Sequence, residues 1–224
     1  FKQKTAYEML RSLVGSEMCI RDSDPHQLAT PEAFHNNPRL VWEWYTWRRQ
    51  LVSAAKPNPG HYALVELEKH VPQFSLITQN VDGLHQLAGS RVVICLHGNI
   101  QQSKCSQEGI IISDWENNDE IPPRCPNCGS LLRPNVVWFG EMLPEEALSA
   151  AFQAAATCDI FLSVGTSSVV EPAASLPYIA LRQGACVVEI NPSTTPLTHM
   201  ATFTLQGPAG QILPALVQSC FSNK

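Results

Sequence analysis

No apolar run in this 224-residue chain approaches the roughly 20 residues that a bilayer crossing needs, so no membrane partner is expected. Positive charge is in short supply as well. Fifteen Lys and Arg stand against 20 Asp and Glu, a formal net charge of −5, which lacks the basic footprint of a nucleic-acid binder. Internal repeats and low-complexity stretches are absent. The eight cysteines do not form a secreted disulfide framework: Cys95, Cys158 and Cys186 sit in apolar stretches, while Cys125 and Cys128 form a C-x-x-C. That placement indicates a reducing compartment. With 44% hydrophobic and 16% charged residues, the chain is long enough for one sizeable core and a small inserted lobe.

The stretch Phe74 to Asn99, FSLITQNVDGLHQLAGSRVVICLHGN, organises the rest. Phe74-Ser75-Leu76-Ile77 and Val92-Val93-Ile94-Cys95-Leu96 are short apolar runs of the kind that parallel strands require. Each ends abruptly in polar residues, Thr78-Gln79-Asn80-Val81-Asp82-Gly83 after the first and His97-Gly98-Asn99 after the second. Ligands of open α/β sheets bind beyond the carboxyl ends of strands, so one crevice is expected to hold an amide pair, a carboxylate and an imidazole. On these residues alone, His97 is equally a satisfied structural histidine in a polar loop.

Upstream, Thr30-Pro31-Glu32 and Asn37-Pro38 are helix starts, the second opening a helix to about Ala55 that Lys56-Pro57-Asn58-Pro59-Gly60 stops. Along it Leu40, Trp44, Trp47 and Leu51 form one stripe. Val41, Tyr45, Arg48 and Val52 form an adjoining one, which puts Tyr45 and Arg48 on one face. His61 to Val71 is a second helix. From Gln101 to Asn135 the alternation of strand and helix stops. There Arg124-Cys125-Pro126-Asn127-Cys128-Gly129 has the form of a zinc knuckle. Its partner, Lys104-Cys105-Ser106-Gln107-Glu108-Gly109, has Glu108 where a fourth cysteine belongs. A Cys3Glu site of Cys105, Glu108, Cys125 and Cys128 and a weakened or metal-free ribbon both follow from that substitution, and any metal here is structural. Val136 to Gly140 is too apolar for a loop. Pro144 to Thr157 is an alanine-rich helix. Cys158 to Val164 is a strand ending in Gly165-Thr166-Ser167-Ser168, with a helix start expected near Glu171-Pro172. Ala185 to Ile190 is the next strand, ending at Asn191. Phe203 to Gln206 is a last strand and Gln211 to Phe221 a closing helix. The expected architecture is α/β: a doubly wound, Rossmann-like parallel sheet over 24–224 with a small zinc-ribbon-type lobe at about 99–135.

TQNVDGLH followed by LHGN, then CPNCG at 125–129, LRPNVVWFGE at 132–141, VGTSSVVEPAA at 164–174 and EIN at 189–191, resembles the sirtuins, the NAD-dependent protein-lysine deacylases. The likeness runs from about Leu28 to the C-terminus. Tyr45 and Arg48 resemble the branch that includes bacterial deacylases and the mitochondrial desuccinylase/demalonylase type. The resemblance implies acyl transfer from a protein lysine to NAD. The acyl oxygen attacks the anomeric carbon as nicotinamide leaves. A ribose hydroxyl is then deprotonated and attacks the imidate, giving free lysine and O-acyl-ADP-ribose. It assigns His97 as the base. Gln79, Asn80, Asp82, Gly165, Thr166, Ser167 and Asn191 become cofactor contacts. Val137, Trp138 and Phe139 are the segment beside which the substrate backbone adds as a strand. Tyr45 and Arg48 are the readers of an acidic acyl chain.

Residues 1–23, FKQKTAYEMLRSLVGSEMCIRDS, depart from the family, which begins with a strand and a glycine-rich loop. They read as a leader that is not native, and with that loop absent the chain as written is expected to be inactive. A non-catalytic ADP-ribose or acyl-lysine binding fragment and a general deacetylase are the alternatives. A monomer in the cytoplasm is expected, or in mitochondria where a transit peptide has been lost.

Overall fold

The structure, a computed structural model, describes residues 24–115 and 120–221; the expected leader lies outside the described residues. The chain divides into two compact units, Phe1–Ala54 with Asn99–Met142, and Ala55–Gly98 with Leu143–Lys224. No helix among the described residues is long and apolar enough to cross a membrane.

The second unit is the α/β one. Its helix α4 (Pro59–His70) begins in a reciprocal box: the Asn58 side chain accepts the His61 N–H at 3.2 Å, and His61 Nδ1 accepts the Asn58 N–H at 3.1 Å. Strand β1 (Leu76–Thr78) pairs in parallel with β2 (Val93–Cys95), Leu76 opposite Val93, across the short helix α5 (Leu84–Ala88). Strands β6 (Ile160–Val164), β7 (Cys186–Asn191) and β8 (Phe203–Gln206) form a second parallel sheet in that order. The parallel sheet is thus present in two pieces.

Alternation along these strands sends neighbouring side chains to opposite faces. Phe161 packs with Leu96 and with Ala151 and Ala155 of helix α6 (Glu145–Thr157), and with Leu176 of helix α7 (Leu176–Arg182). Leu162, Val164, Val188 and Ile190 pack instead with Ala63 of α4 and with Leu213 and Val217 of helix α8 (Ala209–Phe221). Helices therefore cover both faces, as a doubly wound unit requires. Gly60 is buried where α4 meets α8; a Cβ there would lie 3.1 Å from the Ala209 carbonyl oxygen. The helix start expected at Glu171-Pro172 lies further on. A 3₁₀ turn, Ala173–Ser175, comes first, because both the Ser175 N–H and its hydroxyl return to the Pro172 carbonyl.

The first unit opens with α1 (Pro25–Leu28) and α2 (Pro31–Asn36), capped by Asp24 and Thr30. Helix α3 (Pro38–Ala54) follows, with Asn37 Oδ1 accepting the Leu40 N–H at 3.1 Å. Its buried face is Val41, Trp42, Trp44 and Tyr45, which draws on both expected stripes. The segment read as a break in the alternation contains a three-stranded sheet, β4 (Ile111–Ile112), β3 (Gly98–Cys105), β5 (Leu132–Val136). Strand β3, GNIQQSKC, is too polar to announce itself. It is held by Arg49, whose guanidinium donates to the carbonyls of Ile100 at 2.6 Å and Gln102 at 2.9 Å and to Ser103 Oγ at 3.1 Å. The extended segment expected over Val136 to Gly140 is strand only up to Val136 and turns at Phe139-Gly140.

That turn is closed by Arg133, 8% exposed. Its guanidinium lies 3.2 Å over the Trp138 ring, donates to the Val136 carbonyl at 3.0 Å and grips both oxygens of Glu141, Oε2 at 2.9 Å. Glu141 in turn accepts the Trp138 N–H at 2.8 Å. Burial pushes the Glu141 carboxyl up, but the hydrogen bonds from Arg133 and Trp138, with the charges of Arg133 and Lys104, outweigh it and leave the group below its ordinary value. Its stabilising effect is therefore complete above the unfolded carboxyl's value and is lost as pH falls through the lower folded one. Glu141→Gln should cost about 1.5–3 kcal/mol of unfolding free energy at neutral pH, as expected when the charged acceptor of a half-buried pair is removed. Denaturant titrations at pH 7 and at about pH 3 check this: the gap between variant and parent should narrow in acid.

Candidate functional site

In the second unit the polar residues that follow the parallel strands form one connected chain. His97, two residues past β2, places Nδ1 2.9 Å from the Gln79 carbonyl oxygen just after β1. A carbonyl only accepts, so this bond assigns the proton to Nδ1 and leaves the lone pair on Nε2. The Gln79 side-chain amide reaches Thr166 Oγ1 at 3.5 Å, beyond the end of β6. The Thr166 carbonyl accepts from Asn191 Nδ2, the last residue of β7, at 2.7 Å. Four of the residues singled out by the sequence, three just past β1, β2 and β6 and one ending β7, are thus brought together at the carboxyl ends of the strands.

Asp82 turns inward, accepting the Leu84 N–H at 2.9 Å to start α5, while Asn80 and Ser167 are exposed. Gly165 has φ +62 and nothing within 4 Å of where a Cβ would stand, so a ligand can approach its backbone. Ser168 also takes a left-handed conformation, φ 55, and its buried hydroxyl has no partner. This donor set of amides, a hydroxyl and an open glycine backbone suits the hydroxyls and phosphates of a dinucleotide. The neighbouring His85 supplies no positive charge, because burial first and His61 second lower it to about 4. The sequence reading quoted Glu189 within EIN at 189–191 but gave it no role. It is 3% exposed, accepts the hydroxyls of Thr195 and Thr198, and so anchors the loop that follows Asn191. Its local signal was an acid inside an apolar strand.

In the first unit Tyr45 and Arg48 do share a face, with Arg48 stacked 4.6 Å over the Trp44 ring and 5.7 Å over that of Tyr45. Tyr45 is only 1% exposed, and its hydroxyl accepts the Trp138 indole N–H at 3.0 Å. An indole only donates, so the Tyr45 proton is left for another acceptor. Burial raises the Tyr45 phenol despite the attraction of Arg48. Burial also lowers the Arg48 guanidinium, which has no carboxylate partner among the described residues. Trp138 is buried, Val137 half-buried, and Phe139 is 50% exposed and stacked on His26.

The same unit gathers Cys105, Glu108, Cys125 and Cys128, one ligand atom from each lying within 4.8 Å of all the others. Cys105 Sγ is 3.4 Å from Cys128 Sγ, and Cys125 Sγ is 3.6 Å from Glu108 Oε2. Three thiols and a carboxylate at this spacing fit one tetrahedral divalent ion, whose ligands stand about 2–2.3 Å from the metal.

The profile of the Sir2 family matches residues 19–172. An NAD-dependent protein deacylase of Aquifex aeolicus is 55% identical over 178 residues, 79% of this chain and 74% of that protein. A crystal structure of a Sir2 homologue in complex with NAD superposes with a TM-score of 0.82 at 46% identity, covering 89% of this chain and 78% of the other. A Sir2 structure bound to an acetylated peptide does so with a TM-score of 0.80 at 32% identity, covering 87% and 83%. Likeness of this extent, borne at once by sequence and by fold, makes the chain a member of the Sir2 family.

Proposed function

We propose that the protein is an NAD-dependent deacylase that removes acyl groups from lysine side chains of proteins. The observation that bears most on this is the bond between His97 Nδ1 and the Gln79 carbonyl, which presents Nε2 as the proton acceptor where the strands end. NAD, when bound, supplies the ribose carbon and hydroxyl that take up the acyl group. The chain's own part is to hold and to move a proton. Gln79, Asn80, Asp82, Thr166 and Asn191 orient the ribose and the nicotinamide end, Gly165 and Ser167 offer backbone and hydroxyl, and His97 Nε2 takes the proton of the attacking hydroxyl. The segment Val137-Trp138-Phe139 receives the substrate's backbone. The relative from Aquifex aeolicus and the structures with NAD and with acetylated peptide support this reading.

On acyl preference, Tyr45 and Arg48 favour chains ending in a carboxylate, succinyl and malonyl, with acetyl also accepted. A half-buried guanidinium without a carboxylate partner is costly unless a ligand supplies one, and the phenol has a proton to donate beside it. A charge-assisted pair is worth roughly 1.5–3 kcal/mol, or about ten- to a hundredfold in preference. The cysteine cluster holds a structural zinc and takes no part in the chemistry.

Measured, like the next variant, on a chain that carries the family's glycine-rich N-terminal loop, His97→Ala should lower turnover of an acyl-lysine peptide by about 10² or more with an unchanged circular-dichroism spectrum; near-normal turnover refutes the assignment. Arg48→Met should reduce the preference for succinyl- over acetyl-lysine peptide by about ten- to a hundredfold. Both kcat/KM ratios and direct peptide affinities read this preference, and an unchanged ratio leaves a general deacetylase.

A further inference from the structure

The two halves of the metal cluster are built on the same backbone. Cys125-x-x-Cys128 is closed by the Gly129 N–H donating to the Cys125 carbonyl at 2.9 Å, with Gly129 at φ +74. Cys105-x-x-Glu108 is closed by the Gly109 N–H donating to the Cys105 carbonyl at 3.0 Å, with Gly109 at φ +71. Neither glycine has any atom within 4 Å of where its Cβ would stand, so the shared left-handed turn, and not crowding, is what calls for glycine. Glu108 thus occupies in the first knuckle the place that Cys128 occupies in the second. Its carboxylate meets the thiols, Oε2 lying 3.6 Å from Cys125 Sγ, while its own N–H points to Cys105 Sγ at 3.4 Å. The first knuckle is intact in geometry and altered only in its donor atom.

We propose that Glu108 is the fourth ligand of a Cys3Glu zinc site, and that this carboxylate makes the ion exchangeable. The proposal rests on the reading that the cluster holds zinc. Two properties of the site lead to exchange. A carboxylate oxygen is a harder and less strongly held donor to zinc than a thiolate, so it is the ligand that leaves first. It is also on the open side: Cys105 and Cys125 are buried, whereas Glu108 and Cys128 are exposed, so water or a competing ligand reaches the ion where its weakest bond lies. Cys105 and Cys125 share an apolar cluster with Trp42, Ile112 and Leu132, and Trp42 lies on α3 one turn before Tyr45. Release of the ion therefore loosens the packing that seats the helix bearing Tyr45 and Arg48.

The test measures metal, not catalysis. The purified chain, Glu108→Ala, Glu108→Gln, Glu108→Cys and Cys125→Ser are assayed for zinc per chain, for the rate of zinc release to a chromogenic chelator, and for the visible spectrum after cobalt substitution. The parent is expected to hold one ion. Release should be at least about tenfold faster in Glu108→Ala and Glu108→Gln and at least about tenfold slower in Glu108→Cys. The cobalt bands of Glu108→Cys should shift to lower energy with stronger thiolate charge transfer. If Glu108→Gln releases zinc at the parent's rate with the parent's cobalt spectrum, Glu108 is not a ligand and the inference falls while the zinc reading stands. If the parent binds neither zinc nor cobalt, and behaves as Cys125→Ser does, both fall. The Gln variant keeps the size of an exposed side chain, so its result does not depend on a change of fold.

Discussion

A parallel strand with an apolar interior admits few polar side chains before it ends, and this constraint places the polar residues of the candidate site in the second unit. Gln79, His97, Thr166 and Asn191 all lie at or just past such ends, and they hold one another. Gln79 is the hinge of the set. Its backbone carbonyl fixes the His97 ring, and its side-chain amide reaches the loop beyond β6. The imidazole of His97 is oriented by a neutral carbonyl and not by a carboxylate, and that carbonyl sets its tautomer.

A comparable economy governs the first unit. The indole of Trp138 only donates, so it can meet Tyr45 only as acceptor, and the phenol's proton is turned elsewhere. Trp138 is itself fixed from behind, its ring under Arg133 and its N–H on Glu141. The adjacent arginines of α3 show how a helix divides similar residues. Arg49 is consumed in holding the carbonyls of β3, while Arg48, about 100° around the helix, stacks on Trp44 and keeps its donors. One guanidinium holds a strand and the other lies over aromatic rings, although the two are chemically identical.

Much of this was legible in the chain. Helix starts at Pro31 and Pro38, the strands around Leu76 and Val93, the paired glycine turns and the polar strand ends are all written in local chemistry, since caps, prolines and period-two burial act within a few residues. Other features were not. Strand β3 is polar in sequence because Gln101 and Gln102 are exposed, and it is held by Arg49, some fifty residues away along the chain, a partner that no local pattern records. The helix expected at Glu171-Pro172 gave way to a 3₁₀ turn because a serine hydroxyl competes for the same carbonyl. Glu189 stood in a quoted motif as an acid out of place, but its two threonine partners follow β7 in a loop without regular structure.

By itself the sequence determined the class of fold and the family, because motif spacing and strand periodicity are properties of the chain in one dimension. Only the tertiary structure decided what each group is free to do. It set the tautomer of His97, the acceptor role of Tyr45, the separation of Arg48 from Arg49, and the seat of Glu108 in a knuckle matching that of Cys128. Each of these turns on which atom stands about 3 Å away, and that is settled by packing between segments distant in sequence.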